Sequence, residues 1–495
     1  MFQTLRYPAL APRREARHAL HMLARAAAVC AVAVTLPTFA ATKDEIARIE
    51  RGLRQPVALA GQESTRTLAD EMRRLNVPGA SIAVIRGGKI AWAQGYGITH
   101  AGGPAVTADT LFQAASISKP VTAMAALRLV QEGKLDLDAD VNTLLDSWKL
   151  PQGANGDTKV SLRQLLSHTG GTSVSGFPGY AAGKPVPTLV QVLDGAGPAN
   201  TKPVRVDAAP GSAFRYSGGG YSIVQQALID RSGKPFDVLL ADTVLGPIGM
   251  KDSRFSQPLP ATLLARAALP HDGSGKPYAG GPYTYPELAA AGLWTTPTDI
   301  ARFAIDLQRS LGGGKGVLSP AMARAMLQPV KNGYALGVNV DGSDATLSFA
   351  HGGGNTGYQN TLFAYAGSGK EGGDGVVVMT NGANGGALAG AIARAVAFEY
   401  KWPTYQVKLR EAIALPAAEQ EKLAGRYTTR QLGNFVIARR DGQLMIALRP
   451  DAWEPLHAAS PTVLFVLSRE LELRIDGDGG RIVSGSSDLP FKKAE

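Results

Sequence analysis

Leu111–Leu145 reads LFQAASISKPVTAMAALRLVQEGKLDLDADVNTLL. The stretch opens extended at Leu111-Phe112, passes through Ser116-Ile117-Ser118-Lys119, and enters a run whose pattern predicts a helix over Pro120–Glu132. The residues of that run are mostly small or unbranched, as helices prefer. Pro120 suits a first turn, where its missing N–H costs little, and Gly133 supplies the stop. A serine and a lysine three apart on a helix share a face, so the Lys119 amine can approach the Ser116 hydroxyl. A helix N-terminus carries partial positive charge, which stabilises an alkoxide and, like burial, lowers the pKa of a lysine. A neutral lysine can then accept the serine proton and activate a nucleophile. Ser-x-x-Lys occurs once in the chain. Taken alone it also fits a cap serine beside a surface lysine, so its surroundings must decide.

Working outward, Thr65–Leu75 predicts a helix, and Ser81–Arg86 with Lys89–Gln94 a hairpin about Gly87-Gly88. Leu162–Leu166, Gly220–Asp230 and Asp299–Leu311 are helical by apolar spacing, the last with Asp299 as a candidate cap. Tyr334–Val340, Thr346–Ala350, Asn360–Ala364 and Gly375–Thr380 predict strands, and Ala387–Tyr400 a closing helix. The expected architecture is α/β (α+β): an antiparallel sheet flanked by helices, with a helical domain packed against it. Near Arg410–Glu421 the texture changes, and beyond it Asn434–Ala438, Gln443–Leu448, Val463–Leu467 and Leu471–Ile475 alternate as strands. That tail predicts a small all-β domain, a barrel or sandwich. The expected division is a leader over 1–40, a main domain over 41–410 and a β-rich domain over 411–495.

Further stretches join the first in a consistent order: LRQLLSHTGG at Leu162–Gly171, PGSAFRYSGGGYSIVQQALIDRSG and LGPIGM within Pro210–Met250, AAAGLWTTPTDIARF at Ala289–Phe303, and FAHGGGNTGY at Phe349–Tyr358. Together they resemble the serine β-lactamase-related family, which spans class C β-lactamases, D-alanyl-D-alanine carboxypeptidases, penicillin-binding proteins and esterases of the same fold. The resemblance covers about residues 65–400. It implies a β-lactamase/transpeptidase-like fold and hydrolysis of an amide or ester through an acyl-enzyme. It also implies roles for individual residues. Ser116 matches the acylated serine and Lys119 the lysine one turn on. Tyr216, in Tyr216-Ser217-Gly218, matches the tyrosine of the Tyr-x-Asn motif, where a phenol held partly ionised by the lysine can shuttle protons. His351-Gly352-Gly353 matches the Lys-Thr-Gly strand in a His-x-Gly form, with His351 beside the substrate carbonyl or carboxylate. The backbone N–H groups of Ser116 and Gly354 are the expected oxyanion hole, and Gly353 and its neighbours let a substrate lie close to the strand. His168 is expected to hold the neighbouring loop. Gly218 departs from the family's asparagine, and His351 from its lysine; both departures weigh against efficient β-lactam hydrolysis. The substrate expected is a D-amino-acid peptide or amide related to the cell wall, with a carboxylic ester, a β-lactam, or slow acylation by a recognition protein as alternatives. No cofactor or metal is expected.

Composition narrows the setting. The 495 residues carry a formal charge of +10 with 45% hydrophobic content, typical of a folded chain. Residues 1–40 hold a net +4, leaving a mild +6 spread over the rest without the basic, aromatic-laced stripe of a nucleic-acid binder. Arg13–Arg25 followed by the apolar Ala26–Leu36 and the small residues of Thr38-Phe39-Ala40 reads as a secretory leader. The apolar run is short of the roughly 20 residues that cross a bilayer. A periplasmic or secreted location is therefore expected, with no membrane insertion beyond the leader. Cys30, the only cysteine, lies in that leader, so no cysteine nucleophile or metal site is expected in the mature chain. No Gly-x-Ser-x-Gly, His-Glu-x-x-His or P-loop pattern occurs.

Overall fold

The computed structural model describes residues 41–151, 159–367, 373–431, 433–449, 452–485 and 487–494. The leader reading falls outside them.

Strand Gly79–Arg86 is apolar on both faces, as a central strand must be. Ile82 and Val84 join one core with Val376 and Val378, while Ala83 and Ile85 join another with Val377 and Met379. The strand is second in an antiparallel six-stranded sheet ordered Lys89–Gly97, Gly79–Arg86, Gly375–Thr380, Tyr358–Tyr365, Ser348–Asn355, Asn339–Asp341. Helices Lys43–Arg51, Leu68–Arg74 and Gly385–Glu399 cover the first face through Ile49, Leu68, Met72, Leu388, Ile392 and Val396. Helix Pro297–Leu311 covers the second through Ile300, Phe303 and Leu307, and the helical region continues from it.

The helix after the expected nucleophile (the nucleophile helix below), Ser118–Gln131, is buried nearly all round, with Ser118–Leu127 and Leu129 inside. A helix of that kind lies in the middle of a core rather than on a surface. It starts two residues earlier than its pattern predicts, after a 3₁₀ turn at Ala115–Ile117. Two other expectations change. The Pro297–Leu311 helix is capped by Thr296, whose side chain accepts the Asp299 N–H, and not by Asp299. Asp299 instead accepts the Asp252 N–H at 2.9 Å and the Ser253 hydroxyl at 2.8 Å. Most of Tyr334–Val340 is a tight loop, and only Asn339–Asp341 is strand. The cause is Gly337, at φ 92°, which seats the loop on the nucleophile helix: a Cβ there would lie 2.7 Å from that of Ala123.

The C-terminal part forms a closed antiparallel meander. After a short helix, Ala417–Leu423, strands run in sequence from Gly425–Thr429 to Ser487–Lys493, and the last pairs with the first. Trp453–Pro455 and His457–Ser460 are separated only by Leu456; the first pairs with Gln443–Ala447 and the second with Val463–Phe465. This one bent segment completes the ring, and a closed barrel leaves no free edge. Its interior is filled by Phe435, Ile437, Ile446, Leu464, Leu473, Phe491 and similar side chains.

The barrel meets the main domain far along the chain from the nucleophile. Val57–Leu59 pairs in parallel with Lys408–Arg410. The Val57 N–H donates to the Leu467 carbonyl at 3.4 Å, and Arg410 bonds Glu472 at 2.5 Å. No helix among the described residues is long and apolar enough to cross a membrane.

Candidate active site

Ser116 sits in the turn between the extended Phe112-Gln113 pair and the nucleophile helix. Ala115 before it is buried at φ 51°, a left-handed conformation that costs a non-glycine residue about 1–3 kcal/mol. The turn is braced from within: the Ser118 hydroxyl donates to the Ala115 carbonyl at 2.6 Å and accepts the Leu293 N–H at 3.0 Å. Ser118 is thus fully buried and occupied, while Ser116 stays partly accessible.

Lys119 Nζ donates to Ser116 Oγ at 3.0 Å and to the Ala290 carbonyl at 2.8 Å. Helix Leu288–Ala291 supplies that carbonyl, packed between the nucleophile helix and helix Gly218–Ser232. Lys119 is 2% exposed, and no carboxylate among the described residues lies within ion-pair distance. Burial pulls its ammonium down to about 7 from the usual 10.5. Lysine is therefore poised to exchange a proton near neutrality.

Tyr216 lies beside this pair: the Lys119 ammonium is 4.9 Å from its ring centroid, and the nearby Ser116 hydroxyl opposes the effect of burial on its phenol. Burial pushes the phenol up to about 12. Of the two groups facing Ser116, lysine gives up its proton first and the tyrosine stays a phenol. These directions favour an amine base beside a phenol donor, where the family motif implies a partly ionised phenol.

His351 is buried beside this pair with both ring nitrogens engaged. Nδ1 lies 2.6 Å from the Gly352 carbonyl, which only accepts, so that nitrogen carries the proton. Nε2 is then an acceptor for the Tyr334 hydroxyl at 3.1 Å. Burial and the nearby lysine hold the imidazole neutral, down to about 3. His351 thus adds no fixed cation. His168 follows helix Leu162–Leu166 at φ 57° and accepts the Ser217 N–H at 3.1 Å through Nδ1. Its ring packs 4.2 Å from that of Tyr216, centroid to centroid, and steadies it. It too is held neutral, chiefly by burial.

Strand Ser348–Asn355 brings Gly353 and Gly354 to the turn that holds Ser116. Asn355 and Tyr358 close the two-residue turn Thr356-Gly357. By the alternation of antiparallel bonds, Gly352 and Gly354 direct their backbone groups away from the neighbouring strand. The outer strand ends at the Asn339↔Ala350 pair, leaving that edge open beside Ser116. The Ser116 N–H lies in a first helical turn, where such groups lack an intrahelical partner. Gly353 must be glycine: a Cβ would drive into the Ala114 carbonyl. Gly352 meets nothing closer than 3.9 Å and has room for a side chain. Asn355 and Asn360 clamp this hairpin to Gln113, at 2.8 and 2.9 Å.

Three features here have little signal in sequence. Tyr221 donates to the Leu166 carbonyl at 2.9 Å and Tyr334 to His351, both brought in by long-range packing. Glu287, fully buried at the head of Leu288–Ala291, has no hydrogen-bond partner among the described residues for either carboxyl oxygen, and burial raises it to about 7. The third is Phe177. A Cβ on Gly218 would lie 2.8 Å from its ring, so the space of the motif's asparagine is filled by an aromatic edge.

Comparison with known proteins agrees with this geometry. Residues 65–401 match the family model described as Beta-lactamase. Penicillin-binding protein 4 of Amycolatopsis lactamdurans is 28% identical over 62% of this chain and 81% of its own length. Esterase EstB of Burkholderia gladioli is 35% identical over 42% of this chain and 53% of its own. The octameric penicillin-binding protein homologue from Pyrococcus abyssi shares the fold, with a TM-score of 0.56 and 20% identity over 86% of this chain and 98% of that one.

Proposed function

The chain belongs to the beta-lactamase family, and on that premise we propose that it hydrolyses an amide or ester through an acyl-enzyme on Ser116. The observation that carries the proposal is the 3.0 Å contact between Ser116 Oγ and a buried lysine with no acidic partner among the described residues. Neutral Lys119 takes the Ser116 proton as Oγ attacks the carbonyl carbon. The oxyanion forms against the N–H groups of Ser116 and Gly354, where one such donor is worth about 3–4 kcal/mol in related chemistry. The Tyr216 phenol passes a proton to the leaving nitrogen or oxygen and is reprotonated from Lys119. Water then attacks the acyl-enzyme, giving its proton back through the same pair, and Ser116 is restored.

For the substrate, the proposal is a D-amino-acid peptide or amide related to the cell wall. The open edge at Gly352 and Gly354 supports it, since an extended backbone can add there as a strand. A second reading, hydrolysis of a simple carboxylic ester, is favoured by the neutral His351 and by Phe177 at Gly218, which together offer an uncharged surface. The leader-like pattern of residues 13–40 in the sequence supports, as part of the same proposal, a site of action outside the cytoplasm. The test is mass spectrometry of the protein after a D-alanyl-D-alanine peptide, a fluorescent penicillin and para-nitrophenyl butyrate, with product release followed in parallel. Peptide turnover, or a lasting penicilloyl adduct on Ser116 with poor ester turnover, supports the peptidase. Fast ester turnover without peptide cleavage selects the esterase. No adduct and no turnover with any of them defeats the proposal.

A further inference from the structure

At the seam between the main domain and the barrel lies a cavity of about 460 Å³, inside the range of about 300–1,000 Å³ usual for small-molecule sites. Arg394, on helix Gly385–Glu399, and Arg54 both line it. Arg394 donates Nε–H to the Arg54 carbonyl at 2.8 Å. Neither guanidinium has a carboxylate within ion-pair distance among the described residues. The Tyr405 phenol, which also lines the cavity, acts on Arg394 first, and Glu470 and Glu71 only at longer range; Glu71 is taken by Arg74 and Arg66, and Glu470 faces Lys408. Glu63, on the exposed rim, accepts the Gly61 N–H at 3.3 Å and leaves the cavity net positive. Burial pulls the Arg394 guanidinium down to about 10, the direction expected of a cation out of water without a counter-charge.

The mouth of the same cavity is apolar. Phe398 and Leu409, at 62% and 55%, are the most exposed large hydrophobic residues described, and both line it. Arg54 stacks on the Phe398 ring at 3.7 Å. Val57 and Leu467 continue the apolar wall, the latter from the barrel. Exposed apolar surface concentrated in one place marks a binding site, and a half-buried fork of N–H donors without an acid matches a carboxylate.

We propose that this seam binds a fatty carboxylate, its head on Arg394 and its chain along Phe398, Leu409, Val57 and Leu467. The site is separate from Ser116 and does not depend on the reaction there. The test is calorimetric titration of the whole protein with dodecanoate, dodecanol and butanoate. Dodecanoate should bind one per chain, and dodecanol and butanoate at least tenfold more weakly. Arg394→Gln should weaken dodecanoate at least tenfold and leave ester turnover unchanged. Should Arg394→Gln fail to fold, the exposed pair Phe398→Ser with Leu409→Gln should weaken it at least fivefold. Absence of saturable binding overturns the proposal. So does binding that survives all of these substitutions, or that disappears once Ser116 is acylated.

Discussion

Inside the C-terminal barrel, Phe435, Ile446, Leu464, Leu473 and Phe491 meet one another, and Thr429 is the only polar residue buried there among those described. At the same depth in the main domain lie Lys119, His168, His351, Glu287 and the hydroxyls of Tyr221 and Tyr334. Each of these resists burial unless neutral or hydrogen-bonded. The barrel puts its interior wholly into stability. The main domain gives up stability around Ser116 to hold a lysine short of its proton and two histidines uncharged. A trade of this kind is common at active sites.

Four predictions break or sharpen that contrast. The largest concerns Ser116→Ala, which should lower acylation by at least about 1,000-fold with the melting temperature unchanged or raised. Full labelling by a fluorescent penicillin or full ester turnover in the variant would remove Ser116 from the chemistry. Next, Lys119 should set the pH profile. Its folded pKa, about 7, lies below the usual 10.5, so kcat/KM should rise with pH through about 7 as the amine loses its proton. Between those values the unfolded chain binds a proton the folded one lacks, so wild-type stability should also rise with pH across that window. Lys119→Met should therefore lose at least about 100-fold in rate. It should melt higher than wild type at pH 6, with the gap closing toward pH 10; a lower melting point at pH 6 would end the idea of a stability cost.

The barrel should answer in the opposite way. Ile446→Ala should cost about 2–5 kcal/mol in a denaturant titration while kcat and KM stay within twofold at a temperature where the protein remains folded. A large fall in kcat would mean that the barrel is coupled to the site. The smallest effect should be Gly352→Ser, expected within about threefold of wild-type turnover because the position has room. Gly353→Ala, one residue on, should lose far more, and equal losses would show that strand flexibility rather than the Ala114 contact matters.

Much of this is legible in the sequence. Leu162–Leu166 and Gly375–Thr380 fall where apolar spacing puts them, and the Ser116–Lys119 approach follows from helical periodicity. What stayed hidden depended on the third dimension. Thr296 and Asp299 are both good caps by residue type; Pro297, which belongs at the first helical position, was the local sign that Thr296 wins. Tyr334–Val340 alternates like a strand, but its Gly337 is bent against a helix more than 200 residues earlier. The order in which Lys119 and Tyr216 give up protons turns on burial, which no motif records. The ring closure of the barrel turns on a single bend at Leu456.

The parallel pair Val57–Leu59 with Lys408–Arg410 has a consequence for synthesis. Its first half leaves the ribosome about 350 residues before its second. At roughly 5–20 residues per second, that is some 20–70 seconds with one strand waiting for the other. During that interval the nascent chain presents Val57, Leu59 and the wall they form to whatever is near. The segment that covers the beginning is therefore made late, and a chain stopped before Lys408 would leave Val57–Leu59 without its partner strand for good.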